Sequence, residues 1–257
     1  MILSMPRWSG RVLAALMTGA AIAAASAPPG NAAVNVADSG WSWASPTPQG
    51  RDLHAIAFAG GTGFAVGDGG AALSTGDAGK TWSGLNTGTG SNLEQVQAVS
   101  PTALVVTGGA GCVTRISTNG GQTFKRIFNV AESGCPEPVG AVSFLSAQTG
   151  YLLLANGSLE ATSDGGETFA KRTAVPGTPA ASGGGGATGA AVHFTTATTG
   201  IAFVTSAGGQ SSAYSTPDGG VSWAPVTLPA GAHVTSLRFV DATNVYAAGP
   251  GTFLRST

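Results

Sequence analysis

Short runs of alternating apolar and polar residues, separated by clusters of glycine, asparagine, aspartate and serine, make up most of this sequence. In the first half, such runs cover residues 53–58, 63–67, 71–75 and 81–85. Period-two alternation between turn residues, at a spacing of about 8–12 residues, is typical of short β-strands, and no helical period competes with it. The pattern therefore predicts an all-β fold.

An eight-residue motif recurs along the chain. It is T-G-D-A-G-K-T-W at residues 75–82, with related copies at 117–124, 162–169 and 216–223 and a fainter copy, V-A-D-S-G-W-S-W, at 36–43. The third and eighth positions of the copies are Asp38, Asp77, Asn119, Asp164 and Asp218, and Trp43, Trp82, Phe124, Phe169 and Trp223. Copies spread along a repeat cannot all form one active site. We therefore interpret these residues as structural parts of a turn between the third and fourth strands of each unit.

The spacing of the motif indicates the architecture. Successive third positions are 39, 42, 45 and 54 residues apart, and about 40–50 residues with four strands is the size of one propeller blade. We predict a five-bladed β-propeller of four-stranded antiparallel blades, covering residues 51–92, 93–136, 137–179, 190–229, and 230–257 plus 34–50. The last blade would be closed by an N-terminal strand, which would pair both of its sheet edges. The glycine-rich segment 180–189 is predicted to be a flexible connection between blades.

The N-terminal 33 residues have the features of a secretory signal peptide. Arg7 and Arg11 precede an apolar stretch at 12–27, and small residues follow, so we expect cleavage after Ala32 or Ala33. An uncleaved membrane anchor is the alternative, although the apolar run is short for a span of about 20 residues. Residues 34–257 are then one exported domain, secreted or held in the cell envelope, with no membrane span after cleavage.

Composition limits the partners and the redox chemistry. Without Arg7 and Arg11, 9 of the 11 basic residues remain against 12 acidic ones, and they form no cluster, which argues against a nucleic-acid partner. Cys112 and Cys135 are the only cysteines. In an exported chain they predict one disulfide, with free thiols or a metal pair as alternatives.

Polar residues on the first strands suggest a possible site, because first strands line the central tunnel of a propeller. The aligned positions are Ala57, Ala98, Ser143, His193 and Arg238. We hypothesise that His54, His193 and Arg238 border a small anion or ligand pocket at one tunnel mouth. The alternative is that these residues face tunnel water or cap the packing between blades. The histidines lack metal-ligand spacing, so the sequence predicts no metal and no cofactor.

The chain resembles the Asp-box (BNR repeat) β-propellers. Residues 64–82, F-A-V-G-D-G-G-A-A-L-S-T-G-D-A-G-K-T-W, resemble most the photosystem II stability/assembly factor family. The resemblance covers nearly all of the exported domain. It implies the propeller fold, which Asp-box sialidases, glucanases, sorting receptors and non-catalytic scaffolds share.

An enzymatic role finds little support in the residues. A sialidase would need an F/Y-R-I-P motif, whereas residues 114–117 are T-R-I-S. Another glycosidase would need two convergent carboxylates about 5–10 Å apart. No pair with diagnostic spacing is found among the carboxylates outside the motif: Asp52, Asp68, Glu94, Glu132, Glu137, Glu160, Glu167 and Asp241.

The sequence thus predicts a secreted, monomeric, non-catalytic protein-binding or assembly platform, with an unknown protein or glycan partner. The alternatives are a carbohydrate-active enzyme, sialidase-like or another glycoside hydrolase, and a lectin-like glycan-binding module.

Overall fold

The computed structural model describes residues 50–127, 138–178, 187–206, 208–234, 236–239 and 244–256. For residues 187–190, 236 and 238 the description is confined to the backbone. Within these ranges the chain forms β-strands and one short 3₁₀ turn, Asp68–Gly70. No helix in this part of the chain is long and apolar enough to cross a membrane.

The strands form five antiparallel sheets, each made of consecutive strands. Sheet 1 contains β1 (Leu53–Ala59), β2 (Thr62–Gly67), β3 (Ala72–Thr75) and β4 (Ser83–Gly84). Sheet 2 contains β5 (Leu93–Ala98), β6 (Leu104–Gly108), β7 (Val113–Ser117) and β8 (Lys125–Arg126). Sheet 3 contains β9 (Val139–Phe144), β10 (Gly150–Leu154), β11 (Leu159–Thr162) and β12 (Ala170–Lys171).

The remaining two sheets follow the same order. Sheet 4 contains β13 (Ala187–Phe194), β14 (Gly200–Ser206), β15 (Ser211–Thr216) and β16 (Ala224–Val226). Sheet 5 contains β17 (Ser236–Phe239), β18 (Val245–Gly249) and β19 (Thr252–Arg255). The predicted all-β fold of five antiparallel sheets is confirmed.

The second strand of a sheet is its most buried element. Every residue of β6 and β10 is buried, and their sequences, L-V-V-T-G and G-Y-L-L-L, are almost continuously apolar. A strand covered on both faces needs apolar residues on both faces, so its sequence loses the alternation that marks a half-exposed strand. The sheets are therefore stacked face to face rather than exposed on one side.

Hydrophobic cores lie between sheets that follow one another in the chain. Phe64 of sheet 1 packs with Leu104 of sheet 2, and Ile127 packs with Leu152 of sheet 3. Comparable clusters join sheets 3 and 4 and sheets 4 and 5. The first strands also contact one another in series, β1 with β5, β5 with β9 and β9 with β13. The first strands are thus the inner strands, and the two- or three-residue last strands lie outside them.

Two of the differences from the predicted strand boundaries have a clear physical reason. β4 covers only Ser83–Gly84 of the predicted strand 81–85, because Thr81 is held in the preceding turn by hydrogen bonds to Asp77. β13 begins at Ala187, inside the predicted flexible connection, and pairs there with Ser206. Glycine and alanine can extend a strand when a neighbouring strand supplies the backbone partners.

Several predictions fall outside the described residues. These are the signal peptide, the N-terminal motif with Asp38 and Trp43, the closing strand, and Cys135. The closure of sheet 5 and the Cys112–Cys135 disulfide stay predictions.

Candidate functional site

The repeated motif forms a turn held by its own side chains. Thr75 Oγ1 donates to Asp77 Oδ1 at 2.7 Å, and the other carboxylate oxygen accepts from Thr81 Oγ1 at 2.6 Å. The backbone N–H of Gly79 donates to Thr75 Oγ1 at 3.0 Å. Asp164 and Asp218 accept the same hydrogen bonds in their own turns. These bonds use most of the acceptor sites of the motif carboxylates within the turn.

Hydrogen bonds also keep the motif carboxylates charged. Donation from the side chain and backbone of Thr81 lowers the pKa of Asp77 from 3.8 to about 2. The corresponding bonds from Ser222 lower the pKa of Asp218 to about 2. A carboxylate with such a low pKa is a poor proton donor near neutral pH. The motif therefore offers a stable turn and no acid catalyst.

The motif also joins neighbouring sheets, which the sequence did not indicate. In the fourth copy, Trp223 Nε1 donates to the carbonyl oxygen of Thr173 in sheet 3 at 3.1 Å. Thr173 Oγ1 in turn donates to the carbonyl oxygen of Val221 at 2.6 Å. Phe124 and Phe169 pack against the cores between their own sheet and the preceding one. The repeated residues are therefore contacts between sheets as well as parts of a turn.

Polar side chains on the inner strands form a second set of contacts between sheets. Gln97 donates from Nε2 to the carbonyl oxygen of Phe144 at 3.0 Å, and its Oε1 accepts from the N–H of Phe144 at 2.8 Å. Ser143 Oγ accepts from the N–H of Phe194 at 2.8 Å. His193 stacks on Phe239, with ring centroids 4.0 Å apart. These contacts agree with the alternative in which the inner polar residues cap the packing between sheets.

The strand register shows which of the predicted tunnel positions lie at the same height along the inner strands. Gln97, Ser143, His193 and Arg238 pair with the second residue of β6, β10, β14 and β18. The sequence alignment had Ala98 in place of Gln97. The alignment was wrong by one residue in sheet 2, because the sequence of a single strand does not fix its register with the neighbouring strand.

The three predicted pocket residues do not all lie at the same height along the inner strands. His54 lies three residues before Ala57, which occupies the level of His193 in sheet 1. Three residues of strand correspond to about 10 Å. His193 is half-buried, and burial lowers its pKa from 6.5. Arg238 is described only by its backbone, which pairs with Tyr246. A pocket formed by all three residues stays a prediction.

His54 belongs to a different structural feature, a β-bulge at the start of an inner strand. In β1 the register skips His54 between the pairs Leu53–Gly67 and Ala55–Val66. In β5 it skips Glu94 at the corresponding place, and in β9 it skips Gly140. Bulges leave a residue out of the ladder and redirect its side chain. His54 and Glu94 are therefore equivalent exposed residues on neighbouring inner strands.

Both bulge side chains are held by partners. His54 Nε2 and Asp68 Oδ1 are 2.7 Å apart, and this hydrogen bond raises the pKa of His54 above 6.5. Glu94 Oε1 accepts from the N–H of Ala110 at 3.3 Å. Beside them, Asn92 Oδ1 accepts from the N–H of Gly69 at 2.8 Å. We call the group of Arg51, Asp52, His54, Asp68 and Glu94 the mouth cluster.

The mouth cluster concentrates charge in a chain of which only 9% of residues are charged. Its three carboxylates outnumber Arg51, so the cluster is acidic when His54 is neutral and less acidic when His54 is protonated. Such a surface can accept hydrogen bonds from peptide N–H groups and cationic side chains. Within the described ranges, no group of three or more His, Cys, Asp or Glu residues is arranged to hold a metal ion.

One feature of the sequence points to this cluster, namely a carboxylate at a position that the other repeats fill with a small residue. The N–H groups of Asp68, Gly109 and Ala155 make the same hydrogen bond in sheets 1, 2 and 3, to the carbonyl groups of residues 52, 92 and 138. Only sheet 1 carries a carboxylate at that position. A charged residue at a position that is small in the other repeats indicates a local role rather than a role in the fold.

Comparison with solved structures identifies the arrangement of the sheets. YCF48 from Cyanidioschyzon merolae matches with a TM-score of 0.54 and 20% identity, over 79% of this chain and 65% of that one. A structure of YCF48 bound to a D1 peptide matches with a TM-score of 0.52 and 16% identity, over 79% and 64%. The chain thus spans slightly less than two thirds of these YCF48 chains. It is a β-propeller.

The propeller fold is shared with proteins of other kinds. The GH74 xyloglucanase from Xanthomonas campestris matches with a TM-score of 0.53 and 14% identity, over 77% of this chain and 35% of that one. No family model and no curated protein matches the chain. These likenesses show the propeller fold, in which sheets 1–5 are the blades. Within the mouth cluster, His54 and Glu94 lie on the inner strands of blades 1 and 2.

Proposed function

We propose that this chain is a secreted, monomeric, non-catalytic β-propeller that binds a segment of a partner protein at the mouth cluster. A propeller of the same fold, YCF48, has been solved with a bound D1 peptide. That structure supports a peptide as one kind of ligand for such a fold. The partner of this chain is inferred from the chemistry of its own residues.

The observation that carries the proposal is the equivalence of His54 and Glu94. Both are exposed bulge residues on adjacent inner strands, and both are fixed by a hydrogen bond, to Asp68 and to the Ala110 N–H. Fixed side chains lose little conformational entropy when a ligand binds. The mouth cluster is therefore prepared to accept hydrogen bonds from an extended segment.

The bound segment should carry donors and positive charge. At pH values above the pKa of His54 the cluster holds its largest excess of negative charge, so a cationic segment should bind more tightly there. Protonation of His54 adds a positive charge and weakens that attraction. The dependence should disappear in His54→Ala.

The test is a capture experiment in which the purified exported domain is the bait and an extract of the native cell envelope supplies the partner. The double variant His54→Ala/Glu94→Ala removes the two bulge side chains, and Lys80→Ala/Gln122→Ala is the matched control. Lys80 and Gln122 are exposed at the motif turns, at the opposite end of blades 1 and 2. A partner that binds the mouth should be retained by the wild type and by the control, and lost by the His54→Ala/Glu94→Ala protein.

The competing hypothesis of a carbohydrate-active enzyme is tested on the same preparation with a panel of fluorogenic glycosides. Turnover that is lost in Glu94→Ala would overturn the non-catalytic proposal. If the wild type, the His54→Ala/Glu94→Ala variant and the control variant capture the partner equally, the mouth cluster is not the binding site. Secretion and the monomeric state are tested by N-terminal sequencing of the exported protein and by light scattering.

A further inference from the structure

A cleft between blades 2 and 3 lies at the end of the propeller that carries the motif turns. It has a volume of about 180 Å³. Its polar lining residues are Thr118, Thr123, Lys125, Gln148 and Asp164, and the buried Ile116 lies at its base. This end is opposite to the mouth cluster, so the cleft is a separate site.

An ion pair between the blades borders the cleft. Lys125, in the last strand of blade 2, pairs with Glu167 of the motif turn in blade 3. Both side chains are exposed, at 44% and 66%. An exposed pair of this kind contributes little to stability. Its effect is to hold the ammonium group of Lys125 next to the cleft.

The side chains that line the cleft differ from those at the same positions of the other described motif turns, although the turn itself is repeated in blades 1 to 4. The residue after the motif aromatic is Lys125 in blade 2, but Ser83, Ala170 and Ala224 in the other blades. The turn carbonyl that accepts from the motif N–H belongs to Gln148 in blade 3 and to Thr102 and Thr198 in blades 2 and 4. The repeat thus supplies a scaffold, and one pair of blades places a cation and an amide on it.

The lining offers donors and acceptors in a small volume. Asp164 is ionised because hydrogen bonds from Thr168 hold its pKa well below the ordinary range. Its Oδ1 accepts from Thr162 Oγ1, its Oδ2 accepts from Thr168 Oγ1, and the Thr168 N–H is shared between the two oxygens, so an acceptor site on Oδ2 is left for a ligand. Lys125 supplies donors, and the amide of Gln148 supplies both kinds of group. Ile116 is 3% exposed and belongs to the core beneath the cleft, so the polar side chains carry the recognition. A ring bearing several hydroxyl groups, each a donor and an acceptor, matches this set.

We propose that the cleft between blades 2 and 3 binds a single sugar ring through Lys125, Gln148 and Asp164. The site goes beyond the proposed protein-binding function, and it uses none of the residues of the mouth cluster. Either proposal can therefore fail without the other.

The test uses the intact exported domain and four pyranose probes: glucose, galactose, N-acetylglucosamine and glucuronate. Binding is measured by calorimetry and by saturation-transfer NMR. We expect saturable millimolar binding of at least one probe. Removing one neutral hydrogen-bonding group by Gln148→Ala should weaken it by roughly five- to tenfold.

A matched pair of variants tests the location. Thr118 is exposed at the second position of its motif, so Thr118→Trp should fill the cleft without disturbing the fold. Ser163→Trp places the same side chain at the equivalent exposed position of the next blade. Binding should be lost in Thr118→Trp and kept in Ser163→Trp. The proposal is overturned if no probe binds, if both tryptophan variants bind alike, or if Gln148→Ala binds as well as the wild type.

Discussion

Replacing Gly166 by alanine should destabilise the propeller strongly, although the change adds one methyl group. Gly166 is the fifth residue of the third motif and has a φ of +82°. A Cβ at this position would lie 2.6 Å from Ile127 Cγ2 and 2.7 Å from Ile127 Cβ. Ile127 is 1% exposed in the core between blades 2 and 3. The isoleucine therefore has little space into which it could move.

The magnitude follows from two separate effects. A non-glycine residue in the left-handed region costs about 1–2 kcal/mol. Overpacking a filled core costs about 1–3 kcal/mol more. The sum is about 2–5 kcal/mol. For a domain of this size each kcal/mol lowers Tm by about 2–4 °C, so the expected loss is on the order of 10 °C.

Gly231→Ala separates the two effects. Gly231 has a φ of +74°, and a Cβ there would meet no atom within 4 Å. That variant should lose only the backbone contribution, about 1–2 kcal/mol. Urea and thermal unfolding followed by circular dichroism measure both variants.

A double-mutant cycle identifies the partner of the added methyl group. Ile127→Ala removes Cγ2 and opens space into which the remaining Cβ, 2.7 Å from the added methyl group, can shift. Gly166→Ala should therefore cost less in the Ile127→Ala background than in the wild type, by more than about 1 kcal/mol. The reasoning is refuted if Gly166→Ala is no more destabilising than Gly231→Ala, or if the cycle is additive.

Two further predictions concern the motif carboxylates and the cysteines. Asp77 and Asp218 have pKa values of about 2 in the fold, below their ordinary value of 3.8, so their stabilisation should be present above about pH 4 and lost as the pH falls towards 2. The double variant Asp77→Asn/Asp218→Asn copies the natural Asn119 motif, and its urea unfolding midpoint should fall less than that of the wild type as the pH is lowered. An equal fall of the two midpoints with pH would contradict the explanation. The predicted Cys112–Cys135 disulfide should leave no titratable thiol without reductant, and Cys135→Ser should destabilise by on the order of 3 kcal/mol; two free thiols in the exported protein would refute it.

The strands and the blade count were predictable because their signals are local. The motif T-S-D-G-G-E-T-F contains the side-chain donors and acceptors of its own turn, so Thr162, Asp164 and Thr168 form the same bonds wherever the turn folds. The alternation of apolar residues located the strands to within a few positions. The alignment placed Ala98 where the structure has Gln97, because the register of a strand depends on the neighbouring strand.

The candidate sites were much less predictable. His54 was selected from the sequence, but its partner Asp68 and the equivalent residue Glu94 were not. The bulges that make His54 and Glu94 equivalent are shifts between two strands, and neither strand alone carries a mark of them. The cleft between blades 2 and 3 depends in the same way on Lys125 and Glu167, which are 42 residues apart.

The sequence by itself determined the turns, the strands and the five-fold repeat, because each follows from hydrogen bonds and apolar alternation within about ten residues. The tertiary structure decided what the repeated residues touch. It set Gly166 against Ile127, Trp223 against Thr173, and His54 beside Asp68. These contacts join separate blades or separate strands, so they depend on packing and register that no local pattern specifies.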